Sequence, residues 1–186
     1  WLKHYSPQFL FLIGDSNIRH SMEFTGQLYL FEAPLLLMGI YALWHSRSRV
    51  SFFLLYWLLV YPIPASLTAE GIPHALRSIC ALPVFSIISA VGLFQILDFL
   101  KMNLSGKEKG PKQLGFALYL FLALFNVTFC LILYFRQYPQ YSAQAFQYGM
   151  KSAVQYAETV KSDYNHIYVS PSLGYPEIFL LFYTQH

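Results

Sequence analysis

The residues best suited to chemistry lie in the stretch Glu70-Gly71-Ile72-Pro73-His74-Ala75-Leu76-Arg77. Pro73 is placed to open a helix, where its missing N–H is no loss. His74 and Arg77 are three residues apart, so they share one face of the first helical turn. Free helix N–H groups, a guanidinium and an imidazole together favour a phosphate. The plainer reading of Arg77 is an anchor that snorkels to lipid headgroups. Asp15, Arg19 and His20 form a second cluster. Asp15 and Arg19 have the four-residue spacing of a helix salt bridge, and Gly14-Asp15-Ser16 offers caps for a short helix through His20. Arg19 and His20 could join His74 and Arg77 around one anion, with Glu70 as a further accessory group. Glu32 could pair with Arg19 or Arg77, or face water.

Other signals are weaker. There is no zinc-ligand spacing, no phosphate-cradling glycine loop and no repeat. No Ser-His-Asp or Cys-His arrangement is legible, so no catalytic or metal residue is assigned and the cofactor stays open. Cys80 and Cys130 lie within apolar stretches and read as small core residues. Asn126-Val-Thr128 matches a glycosylation acceptor inside a span, and Asn103-Leu-Ser105 falls on the cytoplasmic side, so neither is expected to be modified.

The elements that must position these residues are those of a membrane protein. The chain is 56% hydrophobic and only 11% charged, against roughly 25% charged in soluble domains. Leu114–Phe135 runs 22 residues without Asp, Glu, Lys, Arg or His, and Ile79–Leu97 runs 19. Each exceeds the ~18 residues that signal a bilayer span. A formal charge of +3, scattered along the chain, gives no nucleic-acid surface.

The expected fold is mainly α and polytopic, with about four transmembrane helices over 28–44, 50–65, 78–100 and 114–135. Residues 1–27 read as an extracytoplasmic interfacial loop, 28–135 as the membrane region, and 136–186 as an extracytoplasmic, truncated α/β tail. In the tail, 143–161 carries Phe146, Met150, Val154, Ala157 and Val160 at helical spacing. His166–Ser170 reads as a short strand, Pro171-Ser172 as a turn, and Pro176 opens a second helical piece, with a strand over Ile178–Phe182 as the alternative. Arg47 and Arg49 follow the first span, and Lys101, Lys107, Lys109 and Lys112 follow the third. By the positive-inside rule those loops are cytoplasmic, and the N-terminal loop, the loop 66–77 and the tail face outward. The chain opens on Trp1 and stops just after an apolar stretch, as a fragment of a longer protein would.

The segment EGIPHALRSICALPVFSIISAVGLFQIL resembles the late membrane segments of the GT-C glycosyltransferases. The similar branch is that of the dolichyl-phosphate-mannose–protein mannosyltransferases and the bacterial lipid A aminoarabinose transferases. There, an outer turn with His and Arg runs into a helix of pattern xLPxxxxxxAxGL; Ala81-Leu82-Pro83 and Ala90-Val91-Gly92-Leu93 match it. FLFLIGDSNIRH, leading to GQLYLFEAPLLLMGIYAL, resembles the preceding part of bacterial members, and FQYGMKSAVQYAETVKSDYNHIYVS resembles their outer extension. The resemblance implies transfer of a sugar from a polyprenyl-phosphate donor to a protein, lipid or glycan acceptor at the outer face of the cell (inner) membrane. It further implies donor-phosphate support from His74 and Arg77. The family's acidic catalytic base lies in a first outer loop, and no residue here matches it.

The rival expectation is a non-enzymatic membrane component of a transporter or polysaccharide-export system. Transporters place polar or broken-helix residues at mid-membrane. Here the third and fourth spans hold only Ser86, Ser89, Gln95, Asn126 and Thr128 of that kind.

Overall fold

Arg47 and Ser48 set the first sharp boundary in the chain. Helix α1 (Glu32–Ser46) stops at Arg47, which takes a left-handed conformation with φ 47°. Ser48 then caps α2 (Arg49–Val60), its Oγ accepting the Ser51 N–H at 3.0 Å. Past Pro62, α3 (Ile63–Ser66) extends the same apolar run. A 3-10 helix, Leu76–Ala81, leads into α4 (Leu82–Asn103). Pro83 accounts for the tight turn, because it lacks an N–H and its ring crowds the carbonyl four residues back. Helix α5 spans Lys109–Ile132.

The computed structural model describes residues 1–22, 24–69, 71–103, 109–170 and 174–184. It is mainly helical, at 71% helix, with no strand among the described residues. The chain divides into two units, Trp1–Arg136 and Gln137–His186. Among the described residues, three stretches are long and apolar enough to cross a membrane: Arg49–Ser66, Leu76–Phe99 and Gln113–Ser142. The first expected span is different. It forms a helix of 15 residues starting at Glu32, with 28–31 in turns, and an unaided span needs about 20.

In the first unit α1 packs on α4 at very short range. A Cβ on Gly39 would strike the carbonyl of Ile88, and one on Gly92 would strike that of Leu35. Glycine at both positions lets the two backbones touch, as small residues do between membrane helices. Around this crossing Leu36, Leu43, Leu54, Val84, Phe85 and Ile88 form a buried core. Helix α5 is the opposite case, with Leu114, Phe121, Leu124 and Phe125 all above 60% exposed. In water such a face is an aggregation liability, whereas hydrocarbon solvates it.

The N-terminal segment, expected as an interfacial loop, packs against the helices of the first unit. His4, Phe9, Leu10 and Asp15 are buried, and Phe9 and Leu10 belong to the core cluster. The Tyr61 hydroxyl donates to the His4 carbonyl at 2.8 Å, and the Tyr5 hydroxyl lies 2.8 Å from the Leu58 and Leu59 carbonyls. The segment thereby caps the C-terminal end of α2, where helix carbonyls lack partners of their own.

In the second unit α6 (Met150–Val160) packs on α7 (Pro176–Thr184). Met150 and Val154 are buried as the helical spacing predicts, but Phe146 is 55% exposed. The helix starts later than expected because Gln147 sits at φ 54°, which breaks the helical path. Residues 166–170, expected as a short strand, carry no regular secondary structure. Ile178–Phe182 is helical, so the described part of this unit is α rather than α/β. The turn expected at Pro171-Ser172 lies outside the described residues.

Candidate functional site

The segment 15–20 forms turns, not the short helix expected of its caps. Asp15 Oδ1 accepts the Asn17 N–H at 2.9 Å, and Asn17 Oδ1 accepts the Arg19 N–H at 3.0 Å. Such side-chain-to-backbone bonds compete with helix formation. Gly14, at φ 79°, turns the chain into this segment, and a side chain there would strike Ser21.

These turns aim Asp15 at a distant part of the chain. Its Oδ2 accepts the Ala75 N–H at 2.7 Å, lies 3.3 Å from His20 Nδ1 and 3.8 Å from His74 Nδ1. The rings of His20 and His74 are 4.8 Å apart between centroids, tilted by 34°. The Asp15 side chain is 2% exposed, that of His74 12% and that of His20 18%. His74 is held through its backbone, its N–H donating to His4 Nε2 at 3.2 Å and its carbonyl accepting the Ser78 hydroxyl at 2.6 Å.

Burial lowers the pKa of His74, and the neighbouring Arg77 adds to that. Burial also lowers His4. Both imidazoles are therefore disposed to be neutral, with a lone pair available on each ring. In His74 that lone pair is on Nδ1, which accepts the Arg77 N–H at 3.3 Å.

The predicted residues are brought together in part. His20 and His74 meet, on Asp15. Arg77 is exposed and its Nη1 donates to Thr68 Oγ1 at 2.6 Å. Arg19 and His20 line a cavity of about 300 Å³ whose walls include Phe9, Tyr61, Leu82 and Phe85. Glu32 borders a second cavity of about 400 Å³, with Asn126 and Cys130. Glu70 lies outside the described residues.

The helical stretch expected as the third span begins at Leu76, not Pro73; the Ile72–Pro73 peptide is cis and belongs to the preceding turn. The N–H groups expected to be free for a phosphate are engaged within the chain. Ala75 binds the Asp15 carboxylate and Arg77 binds His74, while the Ser78 N–H donates to the Ala75 carbonyl at 3.1 Å. The anion at this helix start is the protein's own.

Sequence reasoning missed Asp15 as the centre of the cluster and His4 as its support. No local spacing could have found either, because their partners lie 60 and 70 residues away. Comparison with known proteins yields no matching family model, no matching curated protein and no matching solved structure.

Proposed function

We propose that this chain is part of an integral membrane glycosyltransferase that moves a sugar from a polyprenyl-phosphate donor to an acceptor on the extracytoplasmic face. The observation that carries the reading is the cavity of about 300 Å³ lined by Arg19 and His20 together with Phe9, Leu28, Tyr61 and Phe85. A polyprenyl phosphate is an amphiphile of the same kind, an apolar chain ending in a dianion. Arg19 offers a planar fork for the phosphate, and the aromatic and aliphatic wall suits the first isoprene units. This reading assigns His74 and Arg77 to the same headgroup region from the other segment, beside the cavity-lining Ala75, Leu76 and Ser78. The likeness of Ala81-Leu82-Pro83 and Ala90-Val91-Gly92-Leu93 to the GT-C pattern supports the reaction class. An acidic base, to which no residue here is matched, and a fourth spanning helix belong to this reading too.

The test is binding of a polyprenyl phosphate to the purified chain in lipid nanodiscs, with the uncharged polyprenyl alcohol for comparison. Preference for the phosphate, weakened about tenfold in Arg19→Ala, a loss of roughly 1.4 kcal/mol, is the expected result. Equal binding of phosphate and alcohol would overturn the reading.

A further inference from the structure

We propose that Asp15, His20 and His74 form a binding site for a divalent transition-metal cation of the zinc type. Asp15, His20 and His74 each offer one ligand atom, and the three atoms lie within 4.8 Å of one another. Two of the three edges measure 3.3 and 3.8 Å. Ligand atoms about 2.0–2.2 Å from a tetrahedral zinc stand about 3.4 Å apart, so the third edge has to close by about 1.4 Å or less.

The donor chemistry selects the ion. Two imidazoles and one carboxylate suit zinc and its neighbours, whereas magnesium and calcium prefer oxygen throughout. Three protein ligands also leave a fourth position for water or a ligand oxygen. An ordinary Asp–His hydrogen bond accounts for His20 alone. His74 Nδ1 stands 3.8 Å from the same oxygen, beyond hydrogen-bond range, and its lone pair accepts the Arg77 N–H at 3.3 Å, a bond that an ion would replace.

The surroundings hold the ligands in place without an ion. Both carboxylate oxygens of Asp15 accept backbone N–H groups, from Asn17 at 2.9 Å and Ala75 at 2.7 Å. The His74 backbone is pinned by His4 and Ser78. Outer partners of this kind fix ligand orientation in metal sites. His20 also lines the cavity of about 300 Å³, which gives an ion a route in. The inference stands apart from the sugar-transfer reading, because it needs neither donor nor acceptor.

The test uses the purified untagged chain in detergent, stripped with chelator and titrated with zinc chloride, with the bound metal counted by elemental analysis. One zinc per chain is expected. His20→Ala and His74→Ala should each weaken binding by more than the roughly 10–100-fold that loss of an outer partner costs. His166→Ala, in the second unit, should leave it unchanged. Cobalt(II) provides a second measurement on the parent and on His20→Ala alone, should His74→Ala not fold. Intense visible bands of a four- or five-coordinate ion are expected, and their loss in His20→Ala. Failure to take up zinc, uptake that survives both substitutions, or only the pale spectrum of hydrated cobalt would each sink the proposal.

Discussion

Asp15 Oδ2 accepts the Ala75 N–H at 2.7 Å across 60 residues of sequence, and the same oxygen faces His20 and His74. One carboxylate thus ties the N-terminal segment to the start of the second apolar stretch, Leu76–Phe99. Its loss leaves the Ala75 and Asn17 N–H groups without an acceptor in a sheltered place. Asp15→Ala is therefore expected to destabilise the first unit by about 1–3 kcal/mol. Asp15→Asn, which keeps one acceptor oxygen, is expected to lose less. Thermal unfolding in detergent checks both; an Ala variant as stable as the parent contradicts the role.

The α1–α4 crossing makes a paired prediction. At Gly39 or Gly92 an added Cβ meets backbone, which cannot move aside as a side chain can. Gly39→Ala and Gly92→Ala should each cost about 1–3 kcal/mol. At Gly115 in α5 nothing lies within 4 Å of an added Cβ. There Gly→Ala should be neutral or gain up to about 1 kcal/mol through helix propensity. The same unfolding assay reads all three, and equal effects at the three sites would refute the close crossing.

Tyr5 gives a pH dependence. Burial raises its hydroxyl from 10.0 to about 12, and that hydroxyl lies 2.8 Å from the Leu58 and Leu59 carbonyls. Below pH 10 both folded and unfolded chains hold the proton, and the contribution is fully present. Between pH 10 and about 12 the unfolded chain gives up a proton that the folded chain keeps, so stability falls as pH rises. Tyr5→Phe should be less stable at neutral pH by about 1 kcal/mol. It should also show a shallower decline across that alkaline window, measured as Tm against pH.

Arg77 separates anchoring from donor binding. Its side chain is exposed and donates to Thr68, so Arg77→Ala should change stability by under about 1 kcal/mol. Under the proposed sugar-transfer reading the same change should sharply lower transfer while membrane insertion persists. Wild-type transfer by that variant would leave Arg77 as an anchor only.

The long uncharged runs at Ile79–Leu97 and Leu114–Phe135 were legible because length and apolarity alone select a spanning helix. The 28–44 boundary was not, since apolar residues before Glu32 read as span although they form turns. Helical spacing placed Met150 and Val154 correctly on a buried face, and failed at Phe146, where backbone conformation at Gln147 decides. His20 and His74 were legible as chemistry-bearing residues facing the same side. Their meeting point was not, because a local salt-bridge spacing drew Asp15 towards Arg19, and tertiary pairing with Ala75 has no sequence signature.

Helix α1 has 15 residues, yet through Gly39 and Gly92 it lies backbone to backbone against α4. Its place is defined by a neighbour that the ribosome makes some fifty residues later. Such a segment matures by waiting: until α4 emerges, α1 lacks the surface that gives it a fixed address. Biogenesis of this chain is then expected to depend on that partnership as well as on the sequence of synthesis. Truncation before α4 should leave α1 accessible to the cell's quality-control proteases.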